Sequence, residues 1–198
     1  MSRQYCIRCN RPPVACICKF CEPIENKTLV VVLQHPTEVK QTKGTLPLLA
    51  GSLSNIEILI GENFSENERL NSLLSEENSN CVLVYPSEDA IEIKNIAQFS
   101  NKEEKKNVLI LIDGTWKKAY KMFQLSKNLH SVTHLKLGED LVSRYQIRKT
   151  KKKNALSTLE ACSLALSQLE HNQEDYNCLL NKFEQFNDFQ LSFVKNKS

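Results

Sequence analysis

The sequence predicts an α/β protein with a mainly parallel sheet flanked by helices. Short apolar runs rich in β-branched residues alternate with longer segments of helical periodicity, a pattern typical of strand–helix–strand units. Five consecutive apolar residues at 108–112 are too few for an ordinary helix and too continuous for a half-exposed strand, so they indicate a strand buried on both faces. With 198 residues, 41% of them hydrophobic, the chain can form one such domain and a small appendage.

Each element has its own signal in the chain. Strands are predicted at 28–34, 56–60, 81–85 and 108–112, with a weaker one at 134–137. Helices are predicted at 44–49, 63–77, from 116 onward, at 156 to about 170 and at about 176–186. Pro36 and Pro86 follow two of the strands and end them, because proline cannot donate to a ladder.

The first 25 residues contain five of the eight cysteines. Cys6, Cys9, Cys16 and Cys18 are predicted to hold a structural Zn²⁺, because thiolates are soft ligands and a Cys-x-x-Cys turn presents two of them to one ion. Cys21 is a possible substitute, and the alternatives are a redox pair, free thiols that bind no metal, and an iron–sulfur cluster. The domain prediction is therefore a zinc knuckle at 1–25 followed by an α/β domain at 26–198.

The junction after the strand at 108–112 is the first candidate site. Asp113, Gly114 and Thr115 interrupt the apolar run and Trp116 begins a helix, and ligands of open α/β sheets bind at such carboxyl ends. An ordinary helix N-cap is the competing interpretation of this acid. His35 and Glu38 follow the first strand in the same way, where hydrogen-bonded loop residues are more common than catalysts.

A basic segment follows the last predicted strand. It carries six cations without an intervening acid, so the rest of the chain has a net charge of −3 although the total is +3. The six are Arg144, Arg148, Lys149, Lys151, Lys152 and Lys153. Such a segment favours contact with a phosphate backbone, and a solvated loop is the alternative. Ser157 and Glu160 then have the spacing of a helix capping box.

Composition also predicts a location. The first 25 residues contain no apolar run typical of a signal peptide, and no stretch approaches the roughly 20 apolar residues of a membrane span. We therefore expect a cytoplasmic protein without membrane contact, in which cysteines stay reduced.

Four features in this order resemble the DTW-domain family: the cysteine knuckle, the His35-Pro36 turn, the Asp-Gly-Thr-Trp junction and the basic segment. That family is named for the Asp-x-Thr-Trp motif that residues 113–116 match, and the resemblance extends from Cys6 to Ala161. It implies transfer of the 3-amino-3-carboxypropyl group from S-adenosylmethionine to N3 of a tRNA uridine, with release of 5′-methylthioadenosine. It also implies a SPOUT-like core with a possible C-terminal trefoil knot. Gln41 and Gly44 depart from the family pattern.

The resemblance implies roles for individual residues. Asp113 is the expected general base and Glu160 its reserve. The expected contacts to S-adenosylmethionine are Leu83, Tyr85, Pro86, Leu111, Asp113, Thr115, Trp116, Leu156, Ser157 and Thr158. The expected contacts to tRNA are His35, Glu38, Arg144, Arg148, Lys149, Lys151, Lys152 and Lys153. A monomer is expected. The alternatives are an RNA methyltransferase that uses the same donor and a non-catalytic zinc-containing RNA-binding protein.

Overall fold

A computed structural model describes residues 4–41, 44–96, 105–138 and 156–195, with side chains as far as residue 193. Within these ranges, six parallel strands form one sheet in the order β2-β1-β5-β3-β6-β4. The strands are β1 Leu29–Gln34, β2 Ile56–Ile60, β3 Ser79–Val84, β4 Ile91–Glu92, β5 Lys106–Asp113 and β6 Thr133–Lys136. The α-helices are α1 Leu46–Ser52, α2 Glu68–Ser75, α3 Trp116–Leu125, α4 Thr158–Leu169 and α5 Gln173–Lys195.

The predicted α/β class and parallel sheet are confirmed. All five predicted strands occur, and each boundary lies within two residues of its predicted position. The two-residue strand β4 was missed, because so short a strand has no periodicity to detect. Helix α2 begins at Glu68 rather than at 63, since the Asn67 side chain accepts a hydrogen bond from the Leu70 amide and caps the helix there.

Two apolar cores cover the two faces of the sheet. Residues alternate between them along β5: Leu109 and Leu111 face the core formed with α1, α4 and α5, whereas Val108 and Ile110 face the core formed with α2 and α3. All six residues of β1 are buried. The central strands are therefore enclosed on both sides, as expected for a parallel sheet.

The cysteine knuckle packs into the first of these cores. Ile17, Phe20 and Ile24 are buried there together with residues of α4 and α5. The Phe20 ring lies 6.0 Å from that of Phe186 in an edge-to-face arrangement. The knuckle thus shares its core with the sheet, and the division at residue 25 stays a prediction.

The predicted trefoil knot depends on the path of residues 139–155, which lie outside the described ranges, so it also stays a prediction. No helix among the described residues is both long enough and apolar enough to cross a membrane.

Burial of α5 should contribute strongly to stability. We expect Phe183→Ala, at a fully buried position, to lower the free energy of unfolding by about 3–5 kcal/mol, because the truncation leaves a cavity between α5 and the sheet. Phe193→Ala on the same helix is the control, since that ring is 38% exposed and should cost about 1 kcal/mol or less. Urea denaturation followed by circular dichroism compares the two. Equal losses would contradict the packing described here.

Candidate active site and metal centre

A cleft opens at the carboxyl ends of β3, β5 and β6. It lies between the first turn of α3, which packs on one face of the sheet, and the first turn of α4, which packs on the other. Its volume within the described residues is about 230 Å³, slightly below the roughly 300 Å³ at which typical ligand sites begin. The lining is Val84, Tyr85, Pro86, Leu111, Ile112, Gly114, Trp116, Ala119, Leu135, Lys136, Leu137, Gly138, Leu156, Ser157, Thr158 and Ala161.

Asp113 ends β5 at the edge of this cleft, between the lining residues Ile112 and Gly114. The Gln34 side-chain amide donates to its Oδ2 over 3.1 Å, and the Thr158 hydroxyl donates to its Oδ1 over 2.6 Å. Two neutral donors from β1 and α4 therefore hold the carboxylate in one orientation. Each oxygen keeps a further lone pair, because a carboxylate offers about four acceptor positions.

The first turn of α4 closes one wall of the cleft. The Ser157 amide donates to Oε2 of Glu160 over 2.7 Å, and the Glu160 amide donates to the Ser157 hydroxyl over 3.3 Å. The predicted capping box is confirmed. Glu160 is only 2% exposed, and its carboxylate caps α4. The Asp113 carboxylate caps none of the described helices.

The first turn of α3 forms the opposite wall. The Thr115 hydroxyl, and not Asp113, accepts the N-capping hydrogen bond, from the Lys118 amide over 3.5 Å. Gly114 allows close packing here, since a Cβ at this position would lie 3.2 Å from Cβ of Lys118, a tight contact. The N-cap interpretation of Asp113 is therefore wrong, because Thr115 occupies that position.

His35 and Glu38 take part in contacts beside the cleft. Nδ1 of His35 accepts from the Thr37 amide over 3.2 Å, so Nε2 carries the hydrogen and donates to Glu62 over 3.0 Å. Glu38 accepts from the Lys118 ammonium over 2.7 Å. The structure gives both residues partners within the protein, and their predicted contact with RNA stays a prediction.

The knuckle brings four thiols to one point. Sγ atoms of Cys6, Cys9, Cys16 and Cys18 all lie within 4.8 Å of one another. The Cys6–Cys18 and Cys9–Cys16 separations are 3.7 and 3.8 Å. A tetrahedral ion with bonds of about 2.3 Å requires sulfur–sulfur distances of about 3.8 Å, so the set fits one metal ion. The Cys9 and then the Arg8 backbone amides lower the pKa of Cys6 to about 6, which favours the thiolate.

Cys21 lies outside this set. Its thiol donates to the Ile17 carbonyl over 3.9 Å, and its Sγ lies against Gly51, where a Cβ would come within 2.6 Å. It packs against the core between the knuckle and α1. The possible substitution of Cys21 for one ligand is therefore not what the structure shows.

One known protein family matches most of the chain. The profile of the DTW domain matches residues 3–191. The chain belongs to the DTW-domain family. It is 31% identical over 193 residues to tRNA-uridine aminocarboxypropyltransferase 2 of Macaca fascicularis and of Mus musculus, an alignment that covers 96% of this chain and 64% of each relative.

The Drosophila melanogaster protein of the same name is 30% identical over 195 residues, with 96% of this chain and 76% of that relative covered. The chain thus spans less than two thirds of the macaque and mouse relatives. No solved structure gives a significant match.

This DTW domain brings most of its predicted donor-binding residues together. Seven of them line the cleft: Tyr85, Pro86, Leu111, Trp116, Leu156, Ser157 and Thr158. Asp113 and Thr115 lie beside it. Leu83 is fully buried in the core against α2 and α3, because it alternates with Val82 and Val84, which face the other layer. The structure does not bring Leu83 to the cleft.

Sequence reasoning missed one polar residue of the lining, Lys136. It lies at the end of β6 and is the one charged residue among those that line the cleft in the described part of the chain. Its signal was available, because β6 is a strand whose carboxyl end must reach the same edge as Asp113.

The basic segment falls outside the described residues, including Arg144, Arg148, Lys149 and 151–153. Its described flanks are informative, however, since Gly138 before it and Leu156 after it both line the cleft. The chain therefore enters and leaves this segment at the candidate site.

The cysteine geometry predicts one tightly bound metal ion per chain. Replacing Cys6 and Cys9 by serine should abolish metal binding and lower the melting temperature, because two of the four ligands are lost and metal binding is coupled to folding. Elemental analysis of purified protein measures the ion. Cys178→Ser is the matched control, because that cysteine is exposed and remote from the four ligands in the sequence. Metal-free native protein with an unchanged melting temperature would contradict the assignment.

Proposed function

We propose that the chain transfers the 3-amino-3-carboxypropyl group of S-adenosylmethionine to N3 of a uridine in tRNA. One observation carries the proposal: the carboxylate of the motif that names the family is held beside a mainly apolar cleft at the carboxyl edge of the sheet. Relatives that align over 96% of this chain are named tRNA-uridine aminocarboxypropyltransferase 2, which supports the proposal.

The cleft has features that fit S-adenosylmethionine. Tyr85, Leu111 and Leu135 provide apolar surface suited to the adenine. The amino-acid carboxylate has a suitable partner in the Lys136 ammonium, the one charged group of the cleft lining in the described part of the chain. When bound, S-adenosylmethionine would supply the transferable group, and breakage of its sulfonium–carbon bond would leave 5′-methylthioadenosine.

Asp113 is the proposed general base. N3–H of uridine is a weak acid, and removal of its proton leaves the nitrogen lone pair free to form the new bond to carbon. The Gln34 and Thr158 hydrogen bonds hold the carboxylate ready without neutralising it, since both donors are uncharged. Because these two residues already fix the Asp113 side chain, it loses little conformational freedom when the substrate binds.

Two further assignments complete the proposal. The basic segment between Gly138 and Leu156 contacts tRNA phosphates, because it begins and ends at the cleft and concentrates six positive charges. The metal of the knuckle is Zn²⁺, because four thiolates within 4.8 Å of one another suit a single ion better than a cluster in which they would ligate different irons. We also expect a cytoplasmic monomer.

The reaction is tested directly by mass spectrometry. Purified protein, unmodified tRNA and S-adenosylmethionine should give a uridine heavier by an aminocarboxypropyl group and an equal amount of 5′-methylthioadenosine. A methyltransferase would instead release S-adenosylhomocysteine, and a protein that only binds RNA would leave both reactants unchanged. Either of these results would overturn the proposal.

Two isosteric substitutions distinguish the acids at the cleft. We expect Asp113→Asn to lower kcat by about 10²- to 10⁴-fold with little change in tRNA affinity, because the base is lost and the side-chain shape is kept. Glu160→Gln should leave kcat within a few-fold of wild type, because glutamine also completes a capping box. The reverse pattern would assign the base to Glu160.

A further inference from the structure

Helix α3 exposes two large aromatic side chains beside the cleft. Trp116 is 45% exposed and lines the cleft, and Tyr120 is 60% exposed one helical turn farther along. Residues four apart lie on the same side of a helix, so the two side chains are neighbours. Among the described residues, only Tyr5 and Phe193 are other aromatics with comparable exposure. Half of the strongly exposed aromatics are therefore adjacent to each other at the candidate site.

The rest of α3 is firmly attached, which fixes the direction of this aromatic pair. Met122 and Phe123 are buried against the sheet, and the Phe123 ring stacks on Tyr85 at 4.0 Å. On the opposite flank, Lys118 donates to Glu38 over 2.7 Å and Lys121 to Glu62 over 2.6 Å. Glu38 and Glu62 follow β1 and β2, so these contacts lie on the side of α3 nearest those strands. The aromatic pair lies on the other side of the helix, towards β3 and the cleft.

The charge of α3 complements an anionic ligand. The helix contains three lysines and no acid. Lys118 and Lys121 are paired with carboxylates, but Lys117 is exposed and forms no ion pair with any described residue. Lysine in the first turn of a helix is unfavourable, because the macrodipole is positive there. A phosphate beside Lys117 would relieve that repulsion.

From this arrangement, which rests on the tRNA-modifying function proposed above, we propose that Tyr120 and Lys117 bind unpaired nucleotides adjacent to the target uridine. Tyr120 stacks on a base and Lys117 contacts a phosphate, with Trp116 continuing the surface into the cleft. Aromatic faces accept any base, so this surface adds affinity without reading sequence. One helical turn is about 5.4 Å, wider than the 3.4 Å spacing of stacked bases, which suits the splayed nucleotides of a loop.

Binding measurements with intact protein test the surface. Tyr120→Ala should weaken binding of unmodified tRNA by about 5- to 100-fold, the range expected for one stacked base, and Tyr120→Phe should bind as wild type. Leu125→Ala is the matched control, because that residue is exposed on the other flank of the same helix. Fluorescence anisotropy gives the affinity, and KM for S-adenosylmethionine should not change in any of the three.

Salt dependence separates the two contacts. Lys117→Ala should reduce the slope of log affinity against log salt by about one, whereas Tyr120→Ala should leave the slope unchanged, because only the lysine releases a counterion.

Wild-type tRNA affinity in folded Tyr120→Ala protein would overturn the proposal. So would equal losses in Tyr120→Ala and Tyr120→Phe, or a change of oligomeric state by light scattering, which would make the surface a protein interface.

The affinity readout does not require turnover. If the wild-type protein binds tRNA but forms no product, the function proposed above fails and the stacking surface is still tested. If product forms and Tyr120→Ala has no effect on binding, the surface alone fails.

Discussion

The pairing of β1 with β5 is the constraint on which the site depends. In this register Gln34 lies opposite Asp113, and both side chains point to the face covered by α4. A slip of one residue would turn Asp113 towards the other layer, away from Thr158. The register is specified by the alternation of apolar residues, because each strand fills two different cores. Ordinary hydrophobic packing therefore determines where the Asp113 carboxylate points.

The positions of the strand ends explain which parts of the site the sequence could predict. Apolar runs located the carboxyl ends of β3 and β5, and one sheet edge then had to collect Tyr85 and Asp113. Leu83 was predicted together with Tyr85, but it lies two residues earlier, inside β3, where its side chain is fully buried against α2 and α3. Its depth in the strand, which an apolar run does not reveal, keeps it out of the cleft.

Other features depend on tertiary structure that local pattern does not contain. Five cysteines have compatible spacings, and only the folded turns show that Cys21 packs against α1 while the other four converge. The carboxylate partners of Lys118 and Lys121 come from loops 80 and 59 residues distant in the chain, and no sequence window reaches that far.

The order of the strands has a consequence for synthesis on the ribosome. β5 is inserted between β1 and β3, yet it begins at residue 106, about 70 residues after β1 ends. At a synthesis rate of roughly 5–20 residues per second, β5 emerges several seconds after the apolar strand β1. During that interval the native partner available to β1 is β2, and its other edge is open to other strands. A newly made chain is thus exposed to aggregation through this strand before its second half emerges.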